Sequence, residues 1–318
     1  MVLDLSTPTN LPDFAGLDLD FDILDSHHHL FDLGAVYYPW LTDHPEEHFL
    51  LGNYDALKSN YAVADYRADA GSLRVVKTVH VEAEADHDNP VAETRWLSDL
   101  METSDMPHAI VAHAWLHRPE SEAVLAEQAS FPAVCGIRSK PRTSTTAAAR
   151  EEVRGQPVSL QDPAWRKGLG LLRQHGLSWD LRVPYWHLVE AAEVCALYPE
   201  LAIVVGHTGL AWDRSPDGLD EWGRGMTALA AMAHVHLKIS ELGLAGAPWD
   251  YQDNRALVRQ AIETFGFDRC MFASNFPVAG LRISYVDQVS AIAHMIQDCS
   301  AAERAALFHD TAKKFYRL

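Results

Sequence analysis

The sequence predicts a (β/α)8 TIM barrel, an α/β fold in a single domain, and three observations carry that prediction. Eight short apolar runs rich in β-branched residues recur along the 318 residues with longer amphipathic stretches between them, the pattern of β-α units around a parallel sheet. Eight is the count at which such a sheet closes on itself, whereas open doubly wound sheets commonly carry about five to seven strands. Several of the runs also end in ionisable residues, as strands do when their carboxyl ends carry an active site.

The strand candidates of the first half are ILDSHHHL from Ile23, VVKTVHVEAE from Val75, AIVAHAWL from Ala109 and AVCGIRSK from Ala133. Those of the second half are LSWDLRVPY from Leu177, LAIVVGHTGL from Leu201, VHLKISELG from Val235 and RCMFASNFPV from Arg269. Helical patterns follow, clearest from Val91, Pro163, His187, Gln252, Tyr285 and Ala301. Two connections exceed what a barrel needs, from Phe31 to about Ala70 after strand 1 and from Pro141 to Leu160 after strand 4. Loops following strands gather on the active-site face, so both are expected to cover the pocket. Residues 1–20 read as an N-terminal extension and residues 21–318 as the barrel.

Composition bounds the function. A formal charge of −18 repels phosphates at long range and argues against nucleic acid or an anionic membrane as general partner. No basic region followed by an apolar run opens the chain, and no apolar stretch reaches about 18 residues, so a cytoplasmic protein is expected. Cys135, Cys195, Cys270 and Cys299 lie far apart and form no CxxC pair. Cys135 and Cys270 sit in apolar runs and read as inert buried thiols. Neither GxGxxG after the first strand nor GxxxxGK[ST] occurs, which removes the common nucleotide cradles. The oligomeric state is open, a homo-oligomer included.

The strongest local signal is Asp25-Ser26-His27-His28-His29. Residues two apart on a strand share a face, so His27 and His29 are expected to point together into the barrel mouth and His28 away from it. Other strand ends add Glu82 and Glu84, His113, Arg138 and Lys140, Asp180 and Arg182, His207, Glu241, and Ser274 with Asn275. Arg138, Lys140, Arg142, Arg150 and Arg154 cluster in and after strand 4 and are suited to an anionic substrate. Trp40 and Trp212 are candidates for an apolar pocket wall, whereas His44, His48, His80, His87, His108, His117, His175, His234, His236, His294 and His309 read mostly as surface or capping groups.

These residues give the sequence a resemblance to the amidohydrolase superfamily, in its amidohydrolase-2 branch of sugar lactonases and 2-pyrone-4,6-dicarboxylate lactonase. The carriers are Asp25-Ser26-His27-His28-His29 with Tyr37-Tyr38-Pro39-Trp40-Leu41, then Gly136-Ile137-Arg138, Gly206-His207-Thr208-Gly209 and Ser274-Asn275-Phe276-Pro277. The resemblance implies that His27 and His29 are the family's HxH pair, His207 its histidine after strand 6, and Asn275 the counterpart of its final-strand aspartate. That aspartate is expected to activate water, and an amide cannot replace it as a base. Glu241, Glu84 and Glu82 are the carboxylates available instead. Strand 5 offers Asp180 and Arg182 where metal-dependent relatives carry histidine, so a metal-independent site is favoured, with a single divalent ion such as zinc on His27 and His29 as the alternative.

The expected function is hydrolysis of a small anionic lactone. His27, His29 and His207 polarise the carbonyl, Asn275 orients water, and Glu241 or Glu84 acts as base. Arg138, Arg182, Tyr185 and Trp40 bind the substrate. The alternatives are a metal-dependent decarboxylase or hydratase of the same superfamily, or a non-catalytic binding protein.

Overall fold

A computed structural model describes residues 9–47 and 49–318. His48 and the first eight residues therefore lie outside the described part.

Eight parallel strands stand in sequence order, each hydrogen-bonded to the next. They are β1 (Ile23–His28), β2 (Val75–Val81), β3 (Ala109–Ala112), β4 (Val134–Ile137), β5 (Ser178–Leu181), β6 (Ile203–Val205), β7 (Val235–Ile239) and β8 (Cys270–Phe272). The eight runs expected from sequence are the eight strands observed. Around them lie α1 (Val63–Ala70), α2 (Ala92–Met101), α3 (Ser121–Ser130), α4 (Pro163–Leu171), α5 (Leu188–Cys195), α6 (Pro216–Ala230), α7 (Tyr251–Phe265) and α8 (Tyr285–Met295). Polar side chains close exposed amides where helices begin: Asp162 accepts from Ala164 N before α4, and Ser215 from Gly218 N before α6, each with proline at the first helical position. The long connection after β1 ends in α1, whose VADYRADA sequence buries only Tyr66 and Ala70 and so carries little helical periodicity.

The seam between β8 and β1 is sewn differently from the other seven. Asp25, fully buried, accepts from Ser274 N (2.8 Å), Ser274 Oγ (2.6 Å) and Tyr66 Oη (2.7 Å). Ser26 Oγ donates to the Phe272 carbonyl at 2.6 Å. Above them, Asn275 N donates to the His27 carbonyl (2.7 Å) and His29 N to the Phe276 carbonyl (2.8 Å). The first residue of the Asp25–His29 motif thus closes the barrel, and the closure sets Asn275 beside His29.

Inside the barrel, Leu24, Val79, Val81, Val111, Cys135, Val204 and Met271 pack on Ala312, Phe315 and Tyr316 of the C-terminal helix, which plugs the end opposite the site. One polar layer crosses this interior. Lys238 Nζ lies 2.5 Å from Asp180 Oδ2, and Tyr316 Oη donates to the same carboxylate at 3.2 Å. The cysteines are free; burial pushes the Cys135 and Cys195 thiols up to about 12, which suits packing and not nucleophilic chemistry. No helix among the described residues is long and apolar enough to cross a membrane.

Candidate active site

A bulge in β1 decides which histidines enter the barrel. Asp25 pairs with Thr78 and His28 with His80, three residues against two, so one extra residue is inserted between them. Leu24 faces the interior, and strict alternation from it would turn Ser26 and His28 inward. With the extra residue, His27 and His29 point in, and their Nε2 atoms lie 3.3 Å apart. His28 packs outward against Tyr66 and His80, with ring centroids at 4.8 and 5.9 Å and no hydrogen bond at either nitrogen.

The strand ends bend over the mouth through left-handed backbone at non-glycine residues. Glu84 (φ 56°), His207 (φ 57°), Glu241 (φ 51°) and Asn275 (φ 56°) follow β2, β6, β7 and β8. This conformation costs about 1–2 kcal/mol per residue; three of the four residues line one cavity and Glu241 contacts the third of them, Asn275, from behind the lining, so geometry is held here against local preference. Two of the motif glycines are explained by close packing. A Cβ at Gly136 would stand 2.2 Å from Ser178 Oγ, and Gly209, with φ +68°, would bring one to 2.8 Å from Met226 Sδ.

The cavity at this mouth has a volume of about 1090 Å³. His29, His207, Asn275, Glu84, Arg138, Arg182 and Trp40 all line it, with Trp212 as expected from its loop. Both long loops contribute: Glu46, Glu47, Phe49 and Leu50 from the one after β1, and Thr143, Ser144 and Thr145 from the one after β4. Trp40 is pinned by donating to the Ala83 carbonyl at 2.8 Å and stacks on Phe49.

At the floor, His29 Nδ1 lies 2.7 Å from the Val81 carbonyl, which only accepts, so Nδ1 carries the proton and Nε2 keeps its lone pair. That Nε2 is 3.1 Å from Asn275 Oδ1, and the other end of the amide bonds Glu241 Oε2. Two acceptors face each other there. Turning the amide over removes the conflict, because its NH2 then donates to His29 while its oxygen accepts from a protonated Glu241. Burial pushes the Glu241 carboxyl up to about 7, so both arrangements fall within reach of neutral pH. Glu241 Oε1 is buried and without a hydrogen bond. Burial, followed by Arg138, brings His29 down to about 3. His27 and His207 are held well below the usual histidine range by burial first, with Lys238 acting next on His27 and Arg182 next on His207. His207 Nδ1 lies 3.1 Å from Ser240 Oγ. All three imidazoles are neutral near pH 7.

The cations divide into two kinds. Arg138, expected to bind substrate, gives its Nε to the Glu82 carboxylate and its Nη2 to the Glu82 carbonyl, both buried. Lys140 pairs with Glu84, which takes that carboxylate out of contention as an unencumbered base. Arg142 is exposed, Arg150 pairs with Glu221, and Arg154 faces Glu193 and Glu190, so these three fasten or flank the loop and stay out of the cavity. Arg182 lines the cavity and makes no hydrogen bond or ion pair among the described residues. Tyr185 does not line the cavity: it falls on the turn after Pro184, where Pro184 and Trp186 face inward. His187 serves the loop after β4, its Nε2 accepting from Ser144 N at 3.0 Å. His87, expected as a surface or capping group, stacks instead on His113. A histidine on a loop, outside any strand alternation, gave no periodic signal.

His27 and His29 do not fit a divalent ion well. They offer two neutral nitrogens, the neighbouring group is a neutral amide, and among the described residues no third histidine, cysteine or carboxylate brings a ligand atom into range.

Over 94% of this chain and 99% of its own length, the uncharacterised protein y4mH of Sinorhizobium fredii is 37% identical. An L-fucono-1,5-lactonase of Burkholderia multivorans is 25% identical over 93% of this chain and 96% of its own. The crystal structure of a Burkholderia multivorans amidohydrolase with bound zinc superposes with a TM-score of 0.73 at 24% identity, covering 94% of this chain and all of that one. The Amidohydro_2 (Amidohydrolase) family matches residues 24–318, and the chain belongs to that family.

Proposed function

We propose that the protein hydrolyses a small anionic lactone by attack of water on the ring carbonyl. The observation that carries this reading is the contact of Asn275 with both Glu241 and His29, which sets a carboxyl titrating near 7 against a neutral imidazole at the floor of the cavity. Above about pH 7 Glu241 is a carboxylate bonded by the Asn275 NH2, and its unbonded Oε1 is the oxygen left to take a proton. Asn275 Oδ1 and His29 Nε2 are then adjacent acceptors that hold a water by its hydrogens, with its lone pairs toward the substrate.

Water adds to the carbonyl carbon and its proton passes to Glu241, directly or through one further water. The oxyanion is stabilised by His207, whose Nε2 carries the proton when Ser240 Oγ donates to Nδ1, and by the Arg182 guanidinium. The carbon–oxygen bond of the ring breaks and Glu241 returns its proton to the leaving oxygen, giving a hydroxy acid. Arg182, unpaired in the cavity, also receives the substrate carboxylate. The aromatic wall of Trp40, Phe49, Trp186 and Trp212 accommodates the carbon skeleton. The lactonase relative supports the reaction class.

The test is a panel of lactones and aromatic acids assayed separately for proton release and for carbon dioxide. Proton release with lactones alone supports the hydrolase; carbon dioxide from an aromatic acid replaces it with the decarboxylase reading.

A further inference from the structure

We infer that Glu82, His87 and His113 form a site for one divalent ion of the zinc class, separate from the HxH pair. The three side chains come from the end of β2, the loop after it and the end of β3, and each brings one ligand atom within 4.8 Å of the other two. Among the described residues no other trio of histidine, cysteine or carboxylate groups does so.

The donor set suits the metal. Two imidazoles and one carboxylate are a recurrent zinc ligation that leaves a fourth position open. Glu82 is 1% exposed and its carboxylate is ion-paired with Arg138. Arg138 Nε and the Glu84 amide each engage one of its oxygens, which orients the carboxylate and leaves a lone pair on each. His113, only 7% exposed, has a buried Nε2 with no hydrogen-bond partner. An orphaned imidazole nitrogen at that depth is costly unless something receives its lone pair. His87 Nε2 is also without a hydrogen bond and lies 3.2 Å from Glu84 Oε2, the next oxygen available.

The two rings now stack at 4.2 Å with 13° between their planes, so in-plane ligation by both requires one to turn. His87 is the ring that can turn, since it sits on a loop with 29% of its side chain exposed. Trp115 stands edge-on to both rings and closes one side. An ion here would tie the loop after β2 to β3 and fix Glu82, and through it Arg138, at the cavity wall.

The experiment is calorimetric titration of metal-stripped full-length protein with zinc chloride, with zinc counted after dialysis and the cobalt(II) absorption spectrum as a second readout. One equivalent is expected per chain. It is expected to survive a His27→Gln/His29→Gln double variant and to weaken about a hundredfold or more in His113→Asn and in His87→Ala. His87 is partly exposed, so its variant remains informative if His113→Asn fails to fold. No zinc binding, binding unchanged in His87→Ala, or binding lost only in the His27/His29 variant would each overturn the inference.

Discussion

Replacing Glu241 by glutamine separates its chemical role from its structural cost. The side chain keeps its shape and its contact with Asn275, and the proton equilibrium is removed. In the folded protein burial raises this carboxyl from 4.5 to about 7. Below pH 4.5 it is protonated folded or unfolded. Between 4.5 and about 7 the unfolded chain gives up the proton while the folded chain keeps it, so stability falls as pH rises and levels off above about 7. At about 1.4 kcal/mol for each pH unit, that interval amounts to about 3 kcal/mol. Urea unfolding followed by tryptophan fluorescence at pH 5 and pH 9 reads the effect. Other groups titrate in both proteins, so the difference between them isolates Glu241: relative to wild type, Glu241→Gln gains about 3 kcal/mol on going from pH 5 to pH 9. In turnover, wild-type kcat/KM rises through about pH 7 to a plateau, and the variant loses roughly 10²- to 10⁴-fold, the usual worth of a general base. Equal stability differences at both pH values together with turnover near wild type would refute the reasoning.

Two further substitutions test the division of labour in the cavity. Arg182→Ala should lower kcat/KM for a carboxylated substrate and for its neutral ester, because both lose an oxyanion donor, with about 2 to 5 kcal/mol more lost for the carboxylated one and folding unchanged. Arg138→Ala should instead reduce stability by about 3 to 5 kcal/mol, because it leaves the Glu82 charge buried without its partner; matching kinetic selectivity in both variants would erase the distinction. His28→Phe should leave turnover within about twofold and stability equal or higher, since both ring nitrogens of His28 are buried without partners. Inactivation by this change, measured beside His27→Phe, would mean that the bulge in β1 does not set which histidines face the cavity.

The fold was legible because each strand is a short β-branched run bounded by a clear amphipathic helix, and those signals are local. The orientation of His27 and His29 was legible only in part. Alternation relates the two histidines to each other, but the bulge between Asp25 and His28 turns that pair inward, and a bulge leaves no mark in a six-residue strand. Asp25 reads in sequence as part of a catalytic motif, yet its contacts with Ser274 and Tyr66 are made 249 and 41 residues away along the chain. Arg138 and Arg182 look alike in sequence, and only the approach of Glu82 commits one and leaves the other unpaired. Tyr185 follows β5 in sequence, but the turn at Pro184 takes it out of the cavity wall. Glu241 was visible as a strand-end carboxylate, whereas its proton affinity depends on burial that sequence does not report.

Hydrolysis of metal-free protein's substrate in ¹⁸O-labelled water tests the central claim most directly. Once the lactone panel yields a substrate, mass spectrometry of the product locates the label. Attack of Glu241-activated water at the carbonyl carbon predicts one ¹⁸O in the new carboxylate, none in the released hydroxyl, and full activity after chelation. Label in the hydroxyl, carbon dioxide in place of a hydroxy acid, or, in the His87→Ala variant, activity that returns only with added metal would contradict it.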